Sequence, residues 1–223
     1  MRKLFALILA LAAFGAASKA QTNVMVSQLA HSTDSYHEAA TGLNVEAVMA
    51  APRSLSYALV CANFSDAGSY FFAQLFQELK FWDAPLSLYG EFRTSDFAEN
   101  IGYLGLVIPL KSKHGTFKFK PLIRNSSLNI YGRGKKFQWK GYTGAQLSFT
   151  TSHDWDWVNY QSFTDIYDAT GRGNLSWNSE HWLFFPVSGR IDLGTILKLR
   201  GGWDYGKELS HSLFISVRLK FSK

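Results

Sequence analysis

Ser212-Leu213-Phe214-Ile215-Ser216-Val217-Arg218-Leu219-Lys220-Phe221 is the stretch on which the reading of this chain turns. One register is wholly apolar: Leu213, Ile215, Val217, Leu219 and Phe221. The other carries Ser216, Arg218 and Lys220, relieved by Phe214. Strict alternation belongs to a strand whose two faces meet different surroundings. Wound as a helix, the same residues would scatter charge and hydrocarbon around the whole circumference. The length suits a tilted strand that crosses a bilayer in ~9–11 residues. A last strand ending on an aromatic has the form of the closing strand of an outer-membrane barrel, with Ser222 and Lys223 as a small departure.

At the other end, Met1-Arg2-Lys3 is a basic head before an apolar run from Leu4 to Ala17, and Ser18-Lys19-Ala20 supplies small residues for a signal peptidase. Residues 1–20 are therefore expected to be a secretory signal peptide, and residues 21–223 one barrel domain. Without Arg2, Lys3 and Lys19 the formal charge of +6 falls to +3, too little to argue for nucleic-acid binding. Cys61 is alone, so no intramolecular disulfide forms. No run after the leader reaches the ~18 apolar residues of a membrane helix.

Aromatics make up 16% of the chain, and Gly outnumbers Pro 18 to 5. Segments about ten residues long alternate with turn chemistry. They read as Thr22–His31, Leu43–Ala50, Ser54–Phe64, Ser69–Trp82, Pro85–Arg93, Asn100–Leu110, Thr116–Arg124, Lys136–Thr150, Trp155–Ile166, Asn174–Val187, Arg190–Arg200 and Ser212–Phe221. The fold class is all-β, an antiparallel transmembrane barrel of about twelve strands, with ten as the alternative; an even number suits a single-chain bacterial barrel. Lys111 to Gly115, Gly132 to Lys135, Asp168 to Gly173 and Gly201 to Ser210 read as polar connections.

A soluble sandwich would produce the same alternation with its apolar face turned inward. Three features favour the membrane. Charge recurs in one register on several strands, the last strand has the closing form, and Trp82, Trp155, Trp157, Trp182 and Trp203 stand at strand ends where an interface girdle belongs. Asn100 to Leu110 is apolar in both registers, which suits lipid outside and packed side chains inside. Phe71 to Trp82 also fits helical spacing, but its aromatic bulk and its Asp83-Ala84-Pro85 turn favour a strand.

On the barrel reading, Glu91, Arg93, Lys118, Lys120, Arg124, Lys140, Asp192, Lys198, Arg200 and Arg218 share one lumen. Such charges either select what permeates or pair and fill a narrow interior. Tyr89, Tyr142 and Tyr160 are expected to add flat, polar-tipped surfaces there. Catalytic constellations are weaker. His153 lies between Ser152 and Asp154, and His211 between Ser210 and Ser212, but adjacent strand residues point to opposite faces and form no triad. Asp154-Trp155-Asp156 offers two carboxylates, too few oxygens for a cation site. Gly132-Arg133-Gly134-Lys135 lacks the hydroxyl residue and spacing of a phosphate loop.

Phe76-Gln77-Glu78-Leu79-Lys80-Phe81-Trp82, followed by Pro85 to Phe92, resembles the early hairpin of the Tsx-like nucleoside-specific channel-forming proteins, closest to the branch described by a domain of unknown function. Phe163-Thr164-Asp165-Ile166-Tyr167 and Ser179-Glu180-His181-Trp182 are similar to later segments of that branch. The resemblance implies a monomeric barrel of about a dozen strands that passes nucleosides, without a catalytic mechanism. The acidic residues it matches are Glu78, Glu91, Asp165 and Glu180.

The expectation is thus an outer-membrane diffusion channel for nucleosides or similar small polar solutes. It is no enzyme, has no cofactor, metal or catalytic residue, and meets membrane lipid and its solutes as partners but no nucleic acid. A barrel enzyme acting on lipid or acyl substrates predicts instead a convergent Ser/His/acid set near the membrane rim. A closed binding or structural barrel predicts interior charges that pair completely.

Overall fold

The structure is a computed structural model that describes residues 20–33, 41–51, 53–65, 68–80, 84–95, 100–113, 115–127, 142–168, 172–203 and 209–222. The leader up to residue 19, Trp82, the Gly132 to Lys135 turn and Lys140 lie outside the described residues.

The described chain is twelve strands: β1 (Ala20–Ser32), β2 (Thr41–Ala51), β3 (Ser54–Ser65), β4 (Gly68–Lys80), β5 (Ser87–Ser95), β6 (Asn100–Lys111), β7 (Gly115–Ser127), β8 (Tyr142–Trp155), β9 (Val158–Asp168), β10 (Leu175–Pro186), β11 (Ile191–Gly202) and β12 (Ser210–Ser222). Each pairs antiparallel with its sequence neighbours, and β12 returns to β1 from Gln21↔Ser222 to Ser32↔Ser212, with a register shift between Leu29 and His31. Closure leaves no unpaired edge, the condition for backbone in hydrocarbon. It also excludes both the ten-strand count and the sandwich.

Alternation decides the faces. On β12, Ser212, Phe214, Ser216 and Arg218 are buried inside, whereas Ile215 and Phe221 are 61% and 51% exposed outside. The belt continues with Leu104, Leu106, Ile108 and Leu110 on β6 and Ile123 on β7. An apolar exterior around a charged interior inverts a soluble core and is the arrangement of a bilayer-spanning barrel. The doubly apolar β6 behaves as expected. Its inward Tyr103 and Val107 pack with Tyr89 and Leu122, while Met25, Trp182, Phe184, Ile196 and Phe214 form a second interior cluster.

The stretch from Phe71 is strand β4 throughout its described length, as its aromatic bulk and following turn lead one to expect, and the helical spacing of Phe72, Leu75, Phe76 and Leu79 has no helix behind it. One boundary differs from the sequence reading. The eighth segment runs on to Trp155, and a two-residue turn of Asp156 and Trp157 leads into β9, with Trp155 opposite Val158. That turn takes Asp156 off the strand, so it shares no face with Asp154. Short turns join β2 to β3, β6 to β7, β8 to β9 and β10 to β11 at the end where β1 begins and β12 ends. By the short-turn rule that end is periplasmic.

Candidate functional site

The interior holds a cavity of about 610 Å³, lined by residues from every strand but β6. Its geometry follows from how far apart in the barrel two partners stand. Arg93 on β5 meets Glu91 of its own strand and reaches Asp165 on β9, with both terminal nitrogens 3.4 Å from Oδ2. Strands β5 and β9 are four steps apart in the barrel order, so this contact crosses the lumen. Both carboxylates are held in place. Glu91 accepts from Gln74 Nε2 and from the Tyr89 hydroxyl, each at 2.5 Å, and Asp165 accepts from Ser148 Oγ at 2.5 Å. The Arg93 guanidinium also lies 4.8 Å from the centre of the Tyr103 ring, a cation–π contact.

Nearer the periplasmic end, Lys118 Nζ on β7 sits 2.7 Å from Glu78 Oε2 on β4, three strands away. These two latches occupy different depths, because Arg93 lies near the loop end of β5 and Lys118 near the turn end of β7. Two cations stand beside them. Lys120 lies 4.9 Å from the centre of the Tyr89 ring. Arg124 lies over Tyr167 and donates to the Asp168 carbonyl at 3.3 Å.

A third group is bound to the wall. Asp192 on β11, 1% exposed, accepts from Arg218 Nε at 2.8 Å, and Arg218 Nη2 is 2.7 Å away. Lys220 Nζ is 2.7 Å from its other oxygen. Asp192 and Arg218 are direct cross-strand partners, and Arg218 further donates to Asn159 at 3.2 Å.

Further aromatic and acidic groups line the same cavity. Glu46 on β2 is buried and accepts from Asn23 Nδ2 and the Tyr57 hydroxyl, each at 3.3 Å. Among the described residues Glu46 is in no ion pair. Tyr57 stacks on Phe76 with centroids 4.8 Å apart. Trp182 Nε1 donates to Glu180 at 3.1 Å, and Lys198 lies 3.8 Å from Glu180 and 5.1 Å from the centre of the Phe214 ring.

The four acidic residues Glu78, Glu91, Asp165 and Glu180 all face this interior, as do Tyr89, Arg93, Lys118, Lys120, Arg124, Asp192, Lys198, Arg200 and Arg218. Lys140 lies outside the described residues; for Tyr142 only its place at the start of β8 is described. Two aromatic expectations are corrected. Trp182 is 7% exposed and points into the lumen, not into a girdle, because it shares parity with Glu180. Tyr160 points outward, because its partner His153 lies on the face opposite the lumen-lining Ser152. Trp155 and Trp157 are exposed at the periplasmic end of the barrel, and Trp203 beyond the loop end of β11, as girdle residues are.

The weak catalytic candidates do not assemble. His153 stacks on Trp155, and Ser152 faces the other way. His211 shares a contact of 3.1 Å with Thr33. Asp154 accepts from the Asn159 amide, and the described residues contain no group of three or more His, Cys, Asp or Glu able to hold a metal. The sequence reading does not single out Glu46, Asn23, Tyr57 or Gln74. The alternation of Leu43, Val45, Ala47 and Met49 against Asn44, Glu46 and Val48 marks Glu46 as inward, and that signal is sufficient to find it.

No family model matches the chain, and no curated protein sequence matches it. Solved structures do. The NanC porin superimposes with a TM-score of 0.59 at 8% identity, over 90% of this chain and 100% of the porin. LpxR from Salmonella typhimurium gives 0.49 at 7%, over 89% and 99%. The CymD monoaromatic hydrocarbon channel gives 0.44 at 8%, over 96% and 92%. The chain has the fold of an outer-membrane β-barrel. The likeness to the Tsx-like channels rests on the short stretches quoted from the sequence.

Proposed function

We propose that this protein is a diffusion channel of the bacterial outer membrane for small polar solutes, and that nucleosides are the class it selects. The observation that carries the reading is what the lumen holds. Charge pairs reach across it from non-adjacent strands, and a buried carboxylate stands beside stacked aromatics on its wall. A barrel needs neither to be stable, whereas a selective pathway needs both a constriction and hydrogen-bonding groups along it. Tyr57, Phe76, Trp182 and Phe214 present flat surfaces to the cavity on which a base can stack. Glu46 keeps acceptor capacity for sugar hydroxyls and base amino groups. The porin fold match and the short resemblance to nucleoside channels support the same reading.

Transport here makes and breaks no bond. A solute displaces or skirts the Arg93–Asp165 bridge, meets the aromatic wall, and passes the Lys118–Glu78 bridge on leaving. Single-channel recording of the refolded barrel in a planar bilayer tests this directly. Conductance steps that nucleosides partly block are expected, and Glu46→Gln is expected to weaken that block. A folded, inserted barrel that shows no steps would overturn the channel; steps indifferent to nucleosides would leave a pore of another selectivity.

A further inference from the structure

The outward surface of β8, β9 and β10 interrupts the apolar belt. There Thr164 Oγ1 lies 2.7 Å from Ser179 Oγ, Ser179 Oγ lies 3.0 Å from His181 Nε2, and His181 Nδ1 lies 2.9 Å from the Tyr160 hydroxyl. All four side chains face away from the lumen, since their sequence neighbours Gln161, Phe163, Asp165, Glu180 and Trp182 line it. Hydrogen-bonding groups on a bilayer-facing surface are costly unless they have work to do. A structural role would be met by any hydroxyls that satisfy one another. This chain is ordered in a particular way: a serine, a base within hydrogen-bonding reach, and a third group on the base's far nitrogen.

We propose that Ser179, His181 and Tyr160 form a second site, on the outer wall of the barrel, that hydrolyses acyl esters of membrane lipids. With the Ser179 proton directed at Nε2, the imidazole carries its own proton on Nδ1 and donates it to the Tyr160 oxygen, which fixes tautomer and ring orientation. Ser179 Oγ attacks the ester carbonyl carbon while its proton passes to Nε2. The bond to the alcohol oxygen breaks, and His181 returns the proton to that leaving oxygen. Water then attacks the acyl-serine, gives a proton to His181, and releases the fatty acid as the Oγ–carbon bond breaks and Oγ is reprotonated. No other reactant is needed. Ser179 is 6% exposed, held between Thr164 and His181, so an arriving ester takes the place of the Thr164 contact, and the Thr164 hydroxyl is the donor nearest the developing oxyanion.

The substrate class follows from depth. Two residues along the same face of β10, Trp177 lies across β11 where Gly201 leaves room: a Cβ on Gly201 would come within 2.8 Å of the indole nitrogen. An outward tryptophan near the loop end marks the headgroup boundary, and Ser179 lies about 7 Å along the strand inside it. That is the level of the carbonyl esters of the outer leaflet.

The test uses the full-length barrel, refolded in detergent and shown folded by heat-modifiable migration. A fluorophosphonate probe followed by peptide mass spectrometry is expected to label Ser179, and phospholipid mixed micelles are expected to lose fatty acid. Ser179→Ala abolishes both; His181→Asn lowers the labelling rate by about 100-fold or more. Tyr160→Phe, a positioning change, lowers kcat and leaves KM unaltered, an outcome that a purely structural hydroxyl does not give. Folded protein that neither labels nor releases fatty acid, or release that survives Ser179→Ala, overturns the proposal. Ser179 lies outside the lumen, so bilayer conductance is unchanged in Ser179→Ala whichever way the hydrolysis result falls. The two functions therefore fail separately.

Discussion

The interior holds two kinds of ion pair built from the same chemistry. Asp192 and Arg218 face each other on neighbouring strands, 1% and 8% exposed at their side chains. Arg93 and Asp165, and likewise Lys118 and Glu78, join strands four and three steps apart with side chains that stretch across the cavity. A pair between neighbours fills wall and leaves the pathway alone. A pair between distant strands occupies the pathway and adds little that the strand ladders do not already supply. Separation around the barrel, more than distance or charge, divides pairs that fill the wall from pairs that cross the cavity.

The largest effect is expected where the wall pair is broken. Asp192→Ala leaves the Arg218 guanidinium buried without its carboxylate, a loss of about 3–5 kcal/mol. Urea unfolding followed by tryptophan fluorescence measures it, and the fraction that still folds should conduct as the parent does. A loss under about 1 kcal/mol would show that lumen water replaces the carboxylate, and the distinction between the two kinds of pair would collapse.

Asp165→Ala comes next. Arg93 keeps Glu91, so the stability loss falls to about 1–3 kcal/mol, the worth of hydrogen bonds to a charged group. The recording changes more than the stability: single-channel conductance rises, because a bridge across the lumen is gone. Lys118→Met is smaller again in stability, about 1 kcal/mol or less for a pair that is a quarter exposed on the lysine side. Its signature is selectivity. With Glu78 left alone, the reversal potential under a salt gradient shifts toward cations, and an unchanged reversal potential would place the lysine outside the ion path.

The same division separates what the amino-acid sequence makes legible from what it hides. Strand number, closure and the β12 faces are legible, because parity along one strand is a local property of sequence. So is the inward position of Glu91, whereas Glu78, Asp165 and Glu180 come to notice only through the family resemblance. Trp182 is misplaced because it is read as a strand-end girdle residue, whereas it stands within β10, two residues from Glu180, and the two share a face. Pairings across the lumen are not legible, since they depend on which strands a closed barrel sets opposite one another. Glu46 escapes notice because a single acid on a neutral strand stands out less than the charge-bearing β7. The Ser179 and His181 spacing sits openly in the sequence, whereas Tyr160 joins them only through the register of β9 on β10.

Lys220→Ala is the smallest change and the sharpest check on the comparison. Lys220 is the second cation on Asp192, 27% exposed where Arg218 is 8% exposed. Distance alone would rank them equal, since both approach the carboxylate to 2.7 Å. Burial ranks them differently. Water at the periplasmic mouth screens the lysine, whereas the arginine is held by its cross-strand place, by Asn159 and by the Phe184 ring 4.1 Å away. The lysine should therefore contribute about 0.5–1 kcal/mol, the worth of a partly exposed pair, and less as salt is raised. Equal losses from Lys220→Ala and Asp192→Ala would mean that the carboxylate needs both cations. The wall pair would then be a three-charge network, and neighbour-strand geometry alone would no longer account for its strength.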